Sequence, residues 1–185
     1  MSKKKNLTLK ETFALAVQNH QKNNLQVAEN LYKEVLKTKP NHAEAYNNLG
    51  IVFEKLGQSQ KAMSYFKKAT EINPNYADAH YNLGKVFNEL NEPQKAKGCY
   101  EKAIQINPNY VNAYNNLGTI LGELNHINEA KKNFEKSLNL DPNKKKTCEG
   151  YGNILLKLNQ HDKALAYIKK GTGFIKFTQK DCKII

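Results

Sequence analysis

The sequence predicts an all-α fold in which five helix-turn-helix units stack as an α-solenoid. Two features carry this prediction, a fixed repeat period and a helical spacing of apolar residues. The period is 34 residues, and four prolines mark it: Pro40, Pro74, Pro108 and Pro142. Periods in this range are typical of helical solenoids. Between the prolines, apolar residues recur on one face of a helix, as Tyr46, Leu49 and Phe53 do in the second unit.

The period divides the chain into repeats with a short segment at either end. Residues 1–8 form a basic N-terminal extension, residues 9–178 form the array, and residues 179–185 form a tail. The predicted repeats are 9–42, 43–76, 77–110, 111–144 and 145–178. A chain of 185 residues is long enough to bury a substantial core as one domain.

Turn residues separate the two helices of each repeat. Position 15 of the repeat is always Asn or Gly, in the order Asn23, Gly57, Asn91, Asn125 and Asn159. These residues favour the left-handed backbone that closes a helix C-terminus. The proline corner should end the second helix, and the Asn that follows the proline is expected to cap the next helix. Small residues at position 8, such as Gly50 and Gly118, are expected where paired helices approach closely.

Composition and charge argue against several classes of function. The net charge of +12 is concentrated in residues 1–42 and 145–185, and every basic residue other than histidine is a lysine. Arginine, which favours bidentate contacts with phosphate and guanine, is absent, so we expect no nucleic-acid binding. No apolar run is long enough to span a bilayer, and we expect a cytoplasmic protein that binds no membrane.

The reactive residue types are scattered along the chain. Cys99, Cys148 and Cys182 form no C-x-x-C pair, and the five histidines lie far apart in the sequence. This spacing predicts neither a disulfide framework nor a metal site. The sequence also contains no Gly-rich phosphate loop and no grouping of a nucleophile with a base. We therefore expect no cofactor and no enzymatic activity.

The repeat motif resembles the tetratricopeptide repeat (TPR) family, most closely over repeats 2 to 4. In repeat 2 the motif residues are Tyr46, Leu49, Gly50, Phe53, Ala62, Phe66, Ala69 and Pro74. The resemblance implies antiparallel helix pairs in a right-handed superhelix, with the first helices lining a concave groove. It also implies a protein–protein interaction scaffold that binds an extended peptide or a partner protein. The alternative is a substrate-docking arm of a larger or truncated enzyme, such as a glycosyltransferase-like protein.

Family geometry implies that positions 2, 5, 6, 9, 12 and 13 of each first helix face the groove. The candidate peptide-binding residues at such positions are Asn47, Asn48, Tyr81, Asn82, Lys85, Asn115, Asn116 and Asn153. The position-6 residues Asn48, Asn82 and Asn116 each precede Leu-Gly. They resemble the asparagine ladder in the TPR arm of O-GlcNAc transferase-like proteins, which holds an extended peptide through its backbone. An Asn amide suits this role because it offers both a donor and an acceptor.

Compositional drift on a solvated helix face is the alternative explanation of these asparagines. Against it, Asn is a poor helix former, and the adjacent pair Asn47 and Asn48 has no evident structural benefit in the sequence. A carboxylate clamp of the kind that captures chaperone C-termini is disfavoured. Asn116 and Lys146 match its pattern, but Tyr81, Lys85 and Gly150 do not.

Residues 171–185 do not read as a capping helix. Gly171 and Gly173 open the segment, and Ile184 and Ile185 close it. Because a repeat array needs a polar terminal element, we expect self-association through repeat 5. A tail that folds back over repeat 5 is the alternative.

Overall fold

The computed structural model describes residues 7–173, and within that range the chain forms ten α-helices and no strand. The predicted all-α fold of helix-turn-helix repeats is thereby confirmed. The helices are α1 Leu9–Gln21, α2 Leu25–Thr38, α3 Ala43–Lys55, α4 Ser59–Ile72, α5 Ala77–Glu89, α6 Pro93–Ile106, α7 Val111–Glu123, α8 Ile127–Leu140, α9 Lys145–Lys157 and α10 His161–Thr172. The chain divides into two compact units, residues 1–92 and residues 93–185.

The first unit contains α1 to α5. Helices α1 and α2 form one pair, α3 and α4 form the next, and α5 packs against α4. Its core includes the fully buried side chains of Tyr32, Leu49 and Phe66. A Cβ atom at Gly50 would lie 2.6 Å from Cε1 of the Phe66 ring, so the predicted close approach at position 8 is confirmed here.

The second unit contains α6 to α10. Helix α6 packs against α7, α7 pairs with α8, and α9 pairs with α10. The core of this unit includes the buried side chains of Tyr100, Leu121 and Phe134. A Cβ atom at Gly118 would lie 3.1 Å from the Phe134 ring, a looser version of the contact at position 8 of the first unit.

The five position-15 turns have the predicted left-handed backbone. Their φ angles are 61° at Asn23, 69° at Gly57, 57° at Asn91, 62° at Asn125 and 57° at Asn159. In each turn the next residue donates its N–H to the carbonyl five residues earlier, as Gln58 does to Phe53 at 2.9 Å. This bond satisfies a carbonyl at the helix end that would otherwise lack a partner.

The proline corners differ from the prediction in one respect. The Asn that follows the proline does not cap the next helix, because α5 and α7 begin one residue later, with Tyr76 and Tyr110 at their N-caps. Instead, the residue before the proline provides the side-chain acceptor. Oδ1 of Asn73 accepts the N–H of Asn75 at 3.1 Å, and Asn107 and Asp141 make the same bond to Asn109 and Asn143. This arrangement is an Asx-turn, which closes over two residues and leaves the post-proline Asn exposed.

Helix α10 ends at Thr172, and Gly173 takes a left-handed φ of 81°. Residues 174–185 and most of the basic extension lie outside the described residues, and self-association through repeat 5 therefore stays a prediction. None of the ten helices in the described part of the chain is long and apolar enough to cross a membrane.

Candidate functional site

Two of the predicted groove asparagines bond to each other inside the first unit. Nδ2 of Asn82 on α5 donates to Oδ1 of Asn47 on α3 at 3.0 Å. Both side chains are buried, with 3% of Asn47 and 9% of Asn82 exposed. Asn47 therefore joins neighbouring first helices rather than lining a surface. The premise that the adjacent asparagines Asn47 and Asn48 bring no structural benefit is wrong for Asn47, since a satisfied amide bond stabilises a buried contact.

Asn48, next along α3, is half-buried and lies nearer to solvent. Its Oδ1 is 3.5 Å from Nδ2 of Asn47, a long hydrogen bond. Its amide also lies near the hydroxyl of Tyr32. That hydroxyl is buried, and within residues 7–173 no group is placed well enough to form a hydrogen bond with it. Burial raises the pKa of Tyr32 to about 12, and the Asn48 amide opposes that shift. Asn48 is thus a polar group at the boundary between core and surface.

Lys85 on α5 pairs with Glu54 on α3. Its Nζ is 2.5 Å from Oε1 of Glu54, and the two side chains are 33% and 18% exposed. The second carboxylate oxygen, Oε2 of Glu54, is buried and has no hydrogen-bond partner among the residues the structure describes. The predicted binding residue Lys85 is therefore held by an ion pair within the first unit.

The second unit repeats the asparagine pair with different partners. Nδ2 of Asn115 on α7 donates to Oδ1 of Asn116 at 3.1 Å. Nδ2 of Asn116 in turn donates to the Tyr100 hydroxyl at 3.4 Å. Asn115 is buried, with 7% exposed, whereas Asn116 is half-buried. In both units the position-5 Asn is therefore buried and the Asn that follows it lies closer to solvent.

Two further predicted residues lie on first helices. Tyr81 is half-buried on α5 in the first unit, and Asn153 is exposed on α9 in the second. An aromatic hydroxyl that was not predicted lies beside two of the position-6 asparagines, Asn48 and Asn116. Tyr32 precedes Asn48, and Tyr100 precedes Asn116, each by sixteen residues. A Tyr at position 24 of one repeat with an Asn at position 6 of the next repeat is the sequence pattern that could have predicted these contacts.

The described residues offer hydrogen bonds, and the Cys148 thiol among them is not activated as a nucleophile. Cys148 is buried and burial raises the pKa of its thiol, while Cys99 is half-buried. A thiol with a raised pKa is a poor nucleophile. Over residues 7–173, no group of three or more His, Cys, Asp or Glu residues could hold a metal ion. The surface chemistry is that of amides and ion pairs, which suits recognition.

The fold and these surfaces define a helical-repeat protein, and comparison with family models identifies the family. The tetratricopeptide repeat model matches residues 43–76 and 77–110. Other TPR models match residues 19–57, 99–132 and 146–174. The chain belongs to the tetratricopeptide repeat family. None of these models describes an enzyme, and no curated protein sequence matches the chain significantly.

Solved structures show the same α-solenoid fold. A MamA crystal structure is 25% identical with a TM-score of 0.77, and the match covers 89% of this chain and 90% of that one. PilF of Pseudomonas aeruginosa is 23% identical with a TM-score of 0.81, covering 89% and 75%. YrrB, a TPR protein with an unusual peptide-binding site, is 24% identical with a TM-score of 0.74, covering 88% and 84%. These comparisons give no support to a particular likeness with the O-GlcNAc transferase arm.

Proposed function

We propose that this TPR protein is an interaction scaffold whose first helices, within each unit, bind an extended peptide segment. The position-6 asparagines carry the proposal. Asn48 and Asn116 are half-buried. Asn48 has a contact of 3.5 Å with Asn47, and Asn116 has one of 3.4 Å with Tyr100 besides the 3.1 Å bond that its Oδ1 accepts from Asn115. Each of the two amides thus has one contact that is longer than a normal hydrogen bond. A peptide amide can compete for such groups at little cost, because it offers the same donor and acceptor.

The fold comparison supports the same function. YrrB, which shares the fold, has a peptide-binding site, and a peptide site on this chain would use the same kind of scaffold. Asn82 has a different role in the proposal from Asn48 and Asn116. Its Nδ2 is already bonded to Asn47, so its contribution is to fix the helix spacing that a peptide meets.

The test selects short random peptides, displayed on phage, against the full-length protein and measures the affinity of the selected peptides by calorimetry. The double variant Asn48→Ala, Asn116→Ala should bind them at least about tenfold more weakly, a loss of about 1.4 kcal/mol. The matched control is Asn30→Ala, Asn139→Ala, which removes two exposed asparagines from the second helices α2 and α8.

The control should bind as the wild-type protein does. Equal affinity for all three proteins would remove the asparagines from the binding surface. Failure to select any peptide would contradict the proposed function itself. Circular dichroism melts of each variant establish that a loss of binding does not reflect unfolding.

A further inference from the structure

A cavity of about 160 Å³ opens between α7 and α9 in the second unit. Its apolar wall contains Phe134 and Ile154, and Gly118, Gly122 and Gly150 also line it. An apolar cavity of about 150 Å³ accepts a molecule the size of benzene. Drug-sized ligands need roughly 300–1,000 Å³. The volume therefore suits one amino-acid side chain.

Two glycines keep this cavity open. A Cβ atom at Gly150 would lie 2.7 Å from the Phe134 ring, and one at Gly122 would lie 2.9 Å from Cδ1 of Ile154. Two repeats earlier, the equivalent positions hold the side chains of Asn82 and Glu54. There Asn82 bonds to Asn47 and Glu54 pairs with Lys85. The first unit thus has polar side chains where the second has a cavity.

The presence of Gly150 where the first unit has Asn82 also leaves a buried oxygen atom without a hydrogen bond. Asn115 is the equivalent of Asn47, whose Oδ1 accepts from Asn82. Gly150 stands in the place of that donor and has no side chain. Oδ1 of Asn115 is accordingly buried without a hydrogen-bond partner among the described residues. Buried acceptors are normally satisfied, so the junction of α7 and α9 lacks both an apolar filling and an N–H donor.

The rim of the cavity is polar and close to neutral. It carries Thr119, Glu123, Asn153 and Lys157, with one acid and one base among them. Nζ of Lys157 donates to the Gly122 carbonyl at 3.0 Å, which ties α9 to α7 beside the opening. A rim of this kind does not select a charged ligand, and it offers hydrogen bonds to a backbone.

We propose that this cavity receives one apolar side chain, of aliphatic or phenyl size, from an extended peptide that lies along α7 and α9. The peptide main chain meets the rim, where the side chains of Thr119 and Asn153 offer hydrogen bonds. This inference rests on the proposed function and specifies which peptides the second unit prefers. Seating the side chain against Phe134 and Ile154 removes its apolar surface from water.

The test uses the peptides selected on phage against the full-length protein, together with the variant Gly122→Leu. The new side chain would enter the cavity, and the atom nearest to its Cβ is the flexible end of Ile154. Gly98→Leu is the matched control, because a Cβ atom at Gly98 on α6 would meet nothing within 4 Å. If Gly122→Leu does not fold, Gly122→Ala is the milder replacement.

We expect one position of the selected peptides to be enriched in Leu, Ile, Val, Met or Phe. Those peptides should bind Gly122→Leu at least about tenfold more weakly than the wild type, and Gly98→Leu equally well. Their binding should also shift the NMR signal of the Ile154 δ1 methyl group. Replacing the enriched residue by Ser should abolish that shift.

Peptides that bind wild type and Gly122→Leu equally would overturn the cavity proposal while leaving the peptide-binding function intact. A library that yields no peptide would contradict both. A shift of the Ile154 methyl signal with protein concentration alone would assign the cavity to a second copy of the chain, and so would also overturn the proposal.

Discussion

Nδ2 of Asn82 lies 3.0 Å from Oδ1 of Asn47, and this buried hydrogen bond joins α5 to α3 in the first unit. This bond changes the expected effect of Asn82→Ala on stability. From the sequence, Asn82→Ala should preserve or raise stability, since Ala is the better helix former by at most about 0.7 kcal/mol. The structure predicts instead that Asn82→Ala lowers the free energy of unfolding by about 1–3 kcal/mol, because Asn47 loses its donor in a buried place. Urea denaturation measures the change.

A double-mutant cycle separates this bond from helix propensity. Asn47→Ala combined with Asn82→Ala should cost less than the sum of the two single changes. Asn139→Ala, on the exposed face of α8, is the control and should be neutral or slightly stabilising. An Asn82→Ala protein as stable as the wild type would show that the bond contributes nothing.

Glycine-to-alanine changes should have graded effects on stability. At Gly50 the new Cβ would lie 2.6 Å from the Phe66 ring, and we expect a loss of about 1–3 kcal/mol from overpacking. At Gly118 the contact is 3.1 Å, and the helix propensity gained should roughly offset it. At Gly98 no atom lies within 4 Å of the new Cβ, and we expect a gain of about 1 kcal/mol. Thermal or urea melts that fail to rank the variants in this order would contradict the packing at position 8.

Acid should destabilise the first unit through His42. The His42 ring stacks on Phe13 at 4.8 Å, and its Nδ1 accepts the N–H of Ala45 at the start of α3. Burial, aided by Lys39, lowers the pKa of His42 below its usual 6.5, and burial lowers that of His20 as well. The unfolded chain therefore binds these protons at higher pH than the folded one. The stability they contribute is present above about pH 6.5 and is lost as the pH falls through the folded pKa values.

The measurement is urea denaturation of wild type and His42→Asn at about pH 7.5 and about pH 5. Asn can cap α3 but does not titrate, so the variant should lose less stability on acidification. His20 remains and should account for part of the residual loss. An identical pH dependence in the two proteins would exclude His42 as a contributor.

Binding to nucleic acid should be weak and sensitive to salt. The lysine excess lies toward the two ends of the chain, and the three central repeats are nearly neutral. Fluorescence anisotropy with a labelled DNA duplex should detect at most a weak complex, and this complex should dissociate by about 0.2 M salt. Salt weakens such binding because the release of counterions from the phosphates becomes less favourable as the salt concentration rises. A tight complex that persists in salt would point to a basic surface that the charge distribution does not suggest.

The turns were predictable from the sequence because their chemistry is local. Asn or Gly at position 15 favours the left-handed backbone whatever surrounds it, and all five turns adopt it. The cap at the proline corner was not predictable in the same way. Asn73 and Asn75 flank the same proline, either can accept a backbone N–H, and only the folded corner shows that Asn73 does so.

The burial of the individual asparagines was not predictable from the sequence. Adjacent residues on a helix point about 100° apart, so a pattern that places the pair Asn47 and Asn48 on one helix leaves their individual burial open. Packing decides it, and Asn47 is the buried one. The cavity beside Phe134 depends on the absence of side chains at both Gly122 and Gly150. The two glycines lie on different helices, and the repeat period does not predict that they occur together.

The contact between position 24 of one repeat and position 6 of the next has a consequence for the evolution and engineering of this chain. The Tyr100 hydroxyl accepts a hydrogen bond from Asn116. The Phe134 ring instead lies against Gly150, where even a methyl group would collide with the ring. Loss of residues 111–144 by recombination would preserve the 34-residue period, yet it would bring Gly150 over Tyr100 and leave the hydroxyl without its amide. The repeats are therefore periodic but not interchangeable, and their order is itself part of what the sequence encodes.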